Sequence, residues 1–249
     1  MTPALAVSLG DPAGVGPEII LAAWQKRESA NLAPFFVAGG LAVLKAAGEA
    51  NSLAPVIPIT SPAQAQTAFS QGIPVLVGPD AAYNPGLPDT PGARCALASL
   101  ELATQLARAG QAGAVVTAPV AKSRLAQVGF DYPGQTEFLA NACGLAADDV
   151  VMMLAGPQLR TVPLTIHVAL ADVPHLLSED LIVGKARTVA RALAQDFGIA
   201  RPRLAIAALN PHAGEDGLFG SEDSQIVAPA IARLRAEGIA AARRPPHRP

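Results

Sequence analysis

The chain has little cysteine, little charge and no long apolar run, and each shortage argues against a class of protein. Of its 249 residues only two, Cys95 and Cys143, are cysteine, and 15% are charged. Two cysteines are too few for a disulfide framework, which favours a reducing compartment. No apolar stretch approaches the roughly 20 residues of a transmembrane helix. The first residues, MTPALAVSLGDPAG, lack the basic region and apolar length of a signal peptide. We therefore expect a cytoplasmic protein with no membrane partner.

The charge balance gives no sign of a nucleic-acid partner. The chain carries 18 Lys and Arg against 20 Asp and Glu, a formal net charge of −2, so no global positive field attracts a polyanion. The final nine residues, AARRPPHRP (241–249), contain three arginines and are the only support for a nucleic-acid module. At 51% hydrophobic residues, the chain has enough apolar surface for one large or two modest domains.

Apolar runs alternate with segments of helical periodicity. This alternation predicts an α/β fold with a mainly parallel sheet, because crossover helices connect parallel strands. The expected strands are 4–9, 35–38, 73–77, 114–117, 150–154, 161–166 and 204–209, and the expected helices are about 17–27, 41–50, 93–109, 181–197 and 224–237.

Polar loops follow four of the predicted strands, and ligands of open α/β sheets bind beyond the carboxyl ends of strands. These loops are GDPAGVGP (10–17), TAPVAK (117–122), the residue His167, and NPHAGEDG (210–217). Parallel strands would place all four loops at one edge of the sheet. The sequence therefore predicts a ligand site there.

The glycine-rich loop 10–17 matches neither the dinucleotide fingerprint nor the P-loop, because its glycines stand at 10, 14 and 16 and no Gly-Lys-Ser/Thr follows. Two interpretations remain open. Its backbone amides could approach an anion at the start of the next helix, or the small residues could simply form a tight turn.

Lys122 and the segment PGQTEFLA (133–140) also have two interpretations. The Lys122 ammonium could contact a phosphate or carboxylate, or it could be solvated like most lysines. Thr136 could act as the N-cap of a helix, with Gln135 and Thr136 offering donors at its N-terminus. Capping alone would explain Thr136, but it does not require Gln135.

Two of the four histidines, His167 and His212, follow predicted strands. Neutral imidazoles suit Zn²⁺ and related divalent ions, but a catalytic zinc usually has three protein ligands. Glu215 and Asp216 are candidates for the third, and ordinary hydrogen-bonded loop histidines are the alternative. His175 is expected to be a packed or surface helix residue, and His247 supports no argument.

Five segments together resemble the 4-hydroxythreonine-4-phosphate dehydrogenase (PdxA) family, in order and at similar spacing. They are SLGDPAGVGPEI (8–19), VTAPVAKSRL (116–125), GQTEFLA (134–140), VVMMLAG (150–156) and LNPHAGEDGLFGSED (209–223). The resemblance covers about residues 3–240. It implies the isocitrate/isopropylmalate dehydrogenase-like fold, with two α/β domains, a cleft between them and a homodimer.

The resemblance also implies an activity. The family uses NAD or NADP and a divalent metal (Zn, Mg or Co) to oxidise 4-phosphooxy-L-threonine, a small phosphorylated substrate. The resulting keto acid loses CO₂ to give 3-amino-2-oxopropyl phosphate on the route to pyridoxal phosphate. By resemblance, His167 and His212 are metal ligands, while Gln135, Thr136 and Lys122 contact the substrate. No residue is assigned as the catalytic acid or base.

Two departures from the family pattern lead to alternative predictions of the function. Gln135 stands where the family has His, so it cannot carry positive charge or exchange a proton near neutral pH. The family continues into a YHDQG-type segment with a third metal histidine, which this chain does not contain. We therefore expect a first domain (1–130), an incomplete second domain (131–240) and an atypical tail (241–249). A dehydrogenase of another phosphorylated four-carbon hydroxy acid, such as phosphoerythronate, and a truncated inactive homologue are the alternative functions.

Overall fold

A computed structural model describes residues 2–51, 54–146, 149–210, 212 and 218–243. The chain divides into two compact units, Met1–Cys143 and Gly144–Pro249. The sequence places the boundary after residue 130, whereas the segment up to Cys143 belongs to the first unit here. The reason is packing, because Phe130 and Phe138 share a buried cluster with Leu100.

The first unit contains a five-stranded parallel sheet in the order β3-β4-β2-β1-β5. Its strands are β1 (Leu5–Val7), β2 (Phe35–Ala38), β3 (Val56–Ile59), β4 (Ile73–Leu76) and β5 (Val115–Val116). The interior strand β1 pairs with β2 on one side, where Ala6 is opposite Phe36, and with the edge strand β5 on the other, where Ala6 is opposite Val115.

Helices cover both faces of this sheet, as the predicted α/β class requires. They are α1 (Gly16–Gln25), α2 (Leu41–Asn51), α3 (Ala65–Ala68), α4 (Thr90–Arg108), α5 (Lys122–Ala126) and α6 (Gln135–Ala142). One buried cluster joins Val37 of β2 to Trp24 and Leu44 of α1 and α2. The opposite cluster joins Phe36 of the same strand to Ala103 of α4. Successive side chains of β2 therefore enter different cores, so the whole strand is apolar.

The second unit has two small sheets and three α-helices among its described residues. Strands β6 (Leu154–Ala155) and β7 (Arg160–Thr161) pair antiparallel, while β8 (Arg203–Ile206) and β9 (Ala240–Arg243) pair parallel. The helices are α7 (Val173–Leu176), α8 (Glu179–Gln195) and α9 (Ala228–Ala236), and a π-helical turn, Asp223–Val227, precedes α9. Ile182, Val183, Ile231 and Leu234 form the centre of its core.

Several segments of this unit differ from the sequence-based expectation. The strand predicted at 150–154 is wrong except at Leu154, because 150–153 form no strand. The strand predicted at 161–166 is wrong beyond its first residue, because only Thr161 is in β7 and 162–166 form no strand. The segment 241–249, expected as a tail, begins inside β9, where Ala241 pairs with Leu204 and is buried. No helix within the described ranges is long and apolar enough to cross a membrane.

Candidate active site

The loops that follow β1 and β5 meet at the carboxyl edge of the sheet, because these two strands are parallel neighbours. The Asp11 N–H donates to the Pro119 carbonyl over 3.0 Å. The Ser8 hydroxyl accepts from the Ala118 N–H at 3.3 Å. Two of the four loops expected at this edge are therefore in contact.

Close contact between the two loops explains the glycines of the first. Gly10 has φ +74°, and a Cβ placed on it would lie 2.6 Å from the Pro119 carbonyl oxygen. A Cβ on Gly16 would lie 2.8 Å from the Leu9 carbonyl oxygen. Any larger residue at either position would separate the strand from the loops and helix that follow it.

Two amides of the same loop have partners inside the loop. The Asp11 carboxylate accepts the Ala13 N–H at 2.9 Å, and the Asp11 carbonyl accepts the Gly14 N–H at 3.0 Å. Glu18 adds negative charge to the first turn of α1, which disfavours an anion there. The geometry favours the tight-turn interpretation of residues 10–17 over the anion-binding one.

The segment between β4 and α4 is tied to this loop. The Tyr83 hydroxyl donates to Glu18 Oε1 at 2.6 Å, and this hydrogen bond, together with burial, raises the pKa of Tyr83. The Gly86 N–H donates to the Ala13 carbonyl at 2.8 Å. These contacts fix the loop 10–17 from the side opposite β5.

Lys122 lies at the N-terminal end of α6, where Gln135 and Thr136 form the first turn. A Cβ placed on Gly134 would lie 3.7 Å from Lys122 Nζ and 3.0 Å from Glu137 Oε2. Gln135 and Thr136 are half-buried, and Lys122 is exposed. The three residues assigned to substrate by resemblance therefore belong to one region of the first unit.

Thr136 is not the N-cap of α6, which corrects the sequence-based expectation. The helix begins at Gln135, and its N-cap is Gly134, which has extended backbone and no side-chain cap. The first-turn amides of α6 therefore lack the side-chain oxygen that usually satisfies them. An ammonium group and uncapped helical amides are donor chemistry for a phosphate or carboxylate.

His167 and His212 belong to the second unit. His167 is exposed in a bend, with φ +58°, and does not end a strand, since β7 stops at Thr161. The His212 N–H donates to Asn210 Oδ1 at 2.8 Å, and its ring centroid lies 5.6 Å from that of Phe219. The expectation of four loops at one sheet edge is therefore wrong, because β8 pairs only with β9 among the described strands.

The donors of the second unit match a divalent metal in type. Imidazole nitrogens are common ligands of Zn²⁺ and Co²⁺, and the buried Asp223 Oδ1 has no hydrogen-bond partner. Within the described part of the chain no three His, Cys, Asp or Glu side chains are grouped to hold an ion. Glu215 and Asp216, the candidates for a third ligand, lie outside the described residues.

Asp223 is not among the candidate residues that the sequence motifs indicate. It stands four residues before Val227, and Ala230 and Leu234 continue the same buried face. The signal was available, because an acidic residue at an apolar position of a helical repeat is unusual.

Comparison with known proteins settles the family. Residues 31–246 match the model of the family described as pyridoxal phosphate biosynthetic protein PdxA. The chain belongs to the PdxA family. It is 63% identical over 238 residues to a 4-hydroxythreonine-4-phosphate dehydrogenase of Erythrobacter litoralis, covering 95% of this chain and 71% of that protein. A protein of the same name from Zymomonas mobilis is 51% identical over 236 residues, covering 94% and 69%.

A solved structure confirms the fold of this PdxA-family chain. The 4-hydroxythreonine-4-phosphate dehydrogenase of Klebsiella pneumoniae superposes with a TM-score of 0.85 at 35% identity, covering 96% of this chain and 74% of that one. Its fold is the isocitrate/isopropylmalate dehydrogenase-like one, as the motifs predict. The expectation of a dehydrogenase of the pyridoxal phosphate pathway is likewise confirmed at the level of the family.

Proposed function

We propose that this chain oxidises 4-phosphooxy-L-threonine with NAD or NADP and releases CO₂ to form 3-amino-2-oxopropyl phosphate. The 63% identity to a 4-hydroxythreonine-4-phosphate dehydrogenase over 95% of the chain carries this proposal. NAD or NADP, when bound, would supply the hydride acceptor for the carbon bearing the hydroxyl. With the hydroxyl proton released, this oxidation would give a β-keto acid, which would lose CO₂. The two free cysteines support a reducing compartment, and we place the enzyme in the cytoplasm.

Lys122 and the first turn of α6 bind the anionic end of the substrate in this proposal. The support is local: the Lys122 ammonium lies beside Gly134, the uncapped start of α6. The ammonium contributes charge, and the backbone amides contribute directed donors. Gln135 and Thr136 add neutral hydrogen bonds, so Lys122 is the cation among these three proposed contacts. Glu137 lies in the same first turn, and its negative charge opposes part of the attraction for an anion.

His167 and His212 bind the divalent metal in this proposal. The support is the type of donor and the exposure of both imidazoles. When bound, a divalent cation stabilises the negative charge that develops on the substrate oxygen. We also propose a homodimer, which light scattering would detect as twice the 25.3 kDa chain mass.

The test is NADH or NADPH formation with 4-phosphooxy-L-threonine in the presence of Zn²⁺, Mg²⁺ or Co²⁺. Lys122→Ala should raise KM by about 10-fold or more, because a charge-assisted hydrogen bond contributes about 1.5–3 kcal/mol. The matched control is Lys45→Ala, which removes an exposed lysine of α2 and should leave KM unchanged.

Three outcomes contradict parts of the proposal. Equal KM values for both lysine variants would remove Lys122 from the site. Turnover of 4-phosphoerythronate in preference to 4-phosphooxy-L-threonine would favour the alternative substrate. Absence of turnover with either substrate and every metal would favour the inactive homologue.

A further inference from the structure

One side-chain oxygen of Asp223 is buried without the hydrogen-bond donor that a carboxyl oxygen needs. Asp223 is 4% exposed, and its Oδ1 has no hydrogen-bond partner. A buried carboxylate oxygen without a donor loses its hydration and gains nothing in return, which destabilises the fold. Such a group points to a donor or cation that joins it in the working protein.

The backbone around Asp223 is also irregular. The residue opens the π-helical turn Asp223–Val227, and π-helical turns occur frequently at functional sites. The rest of the buried face, Val227, Ala230 and Leu234, is apolar and packs in the core of the second unit. Asp223 is therefore the polar end of an otherwise apolar stripe.

A short segment connects Asp223 to His212. The Phe219 ring lies 5.6 Å from the His212 ring, and Phe219 precedes Asp223 by four residues. Four residues span at most about 14 Å, and Gly220, with φ +108°, turns the chain between them. Phe219 therefore contacts the His212 ring at one end of a short segment whose other end is Asp223.

We propose that Asp223 is a positioning residue that accepts a hydrogen bond from the imidazole of His212 when His212 binds a divalent cation. A metal-bound histidine uses one ring nitrogen for the metal and donates the other ring N–H, commonly to a carboxylate. That acceptor fixes the tautomer and orientation of the ring. The inference rests on the proposed metal function of His212.

The first experiment measures Zn²⁺ binding to the full chain by calorimetry, with and without Asp223→Asn. Removing the carboxylate should weaken binding about 10- to 100-fold, the usual effect of losing such an acceptor. The melting temperature of the metal-free variant should equal or exceed that of the wild type, because an unpaired buried charge has been removed. Asp196→Asn, at the exposed C-terminal end of α8, is the matched control and should change neither quantity.

A double-mutant comparison identifies the histidine through which Asp223 acts. In a His212→Ala background, Asp223→Asn should have no further effect on Zn²⁺ affinity, because the coupled partner is already absent. In a His167→Ala background it should still weaken binding about 10-fold or more. Equal effects in both backgrounds would overturn the assignment to His212.

Hydrogen exchange on the wild-type protein tests the inference without any variant. Zn²⁺ should slow exchange of the amides in 223–227, since the turn gains a fixed partner. Unchanged exchange, a Zn²⁺ affinity of Asp223→Asn within three-fold of wild type, or a lower metal-free melting temperature would each overturn it. A wild-type chain that binds no Zn²⁺ would overturn the metal part of the proposed function as well, so the two failures are distinguishable.

Discussion

The contact between the β1 and β5 loops predicts that Gly10→Ala destabilises the first unit more than its backbone angle alone requires. The substitution forces an L-residue into the left-handed region at φ +74°, which costs about 1–2 kcal/mol. It also places a Cβ 2.6 Å from the Pro119 carbonyl oxygen. Pro119 must then move away from Asp11, and the hydrogen bond between them contributes about 0.5–1.5 kcal/mol. The expected loss of unfolding free energy is about 1.5–3.5 kcal/mol.

Gly110→Ala is the matched control. Gly110 has nearly the same angle, φ +71°, but a Cβ there meets no atom within 4 Å, so only the backbone cost of about 1–2 kcal/mol applies. Both variants are measured by urea unfolding at 25 °C, followed by the fluorescence of Trp24. This is the single tryptophan of the chain, and it is buried in the cluster that contains Leu9 and Ala118. Equal losses in the two variants would refute the close contact between the loops.

Three further predictions concern single side chains. Gln135→His should make KM for the phosphorylated substrate fall as pH drops below about 6.5, because the imidazolium adds charge; a pH profile identical to wild type would contradict a substrate contact. Burial raises the pKa of Cys95 to about 12, whereas an unfolded thiol ionises near 8.5. Stability should therefore fall with rising pH from about 8.5 to 12, and Cys95→Ala should show a shallower decline in urea titrations at pH 8 and 10. Trp24→Phe removes the donor to the Phe69 carbonyl, 2.8 Å away, and should reduce unfolding free energy by about 1–3 kcal/mol by circular dichroism; an unchanged value would contradict that bond.

Proline explains two of the differences between sequence and structure. The strand β3, Val56–Ile59, is absent from the sequence-based prediction because Pro58 interrupts its apolar run. A strand tolerates proline where the missing N–H would not have donated to a neighbouring strand. Such a position exists in β3, because β3 is an edge strand of the sheet. The apolar segment 161–166 suggests a strand, yet Pro163 offers no N–H to a ladder and the strand ends at Thr161.

The local sequence correctly predicts an element when the residues of that element alone indicate how it is buried. The strand 35–38 is predicted with the same bounds as the structure has. Its four apolar residues lie between Pro34 and Gly39 and fit a strand buried on both faces. The strand β9 is missed because Ala240, Ala241 and Ala242 have weak strand preference. The strand is instead stabilised by its pairing with β8, which lies over 30 residues earlier in the chain.

The candidate site likewise combines features that the local sequence predicts with features that depend on packing between distant segments. The loops after β1 and β5 are correctly expected at one edge, because parallel strands share their carboxyl ends. The proximity of Lys122 to Gly134 depends on how α5 and α6 pack, which no local pattern contains. The assignment of Thr136 as an N-cap fails because the N-cap is Gly134, two residues earlier than capping chemistry suggests.

The position of β1 between β2 and β5 has a consequence for synthesis. This strand leaves the ribosome before the other strands of the sheet, and its second neighbour, β5, begins at Val115, more than 100 residues later. At about 5–20 residues per second, β1 waits roughly 5–22 s for that partner. During this interval one of its edges is open and apolar, a state in which strands of different chains can pair. Newly made chains should therefore be most prone to misassembly before residue 116 emerges, and should become resistant once β5 closes that edge.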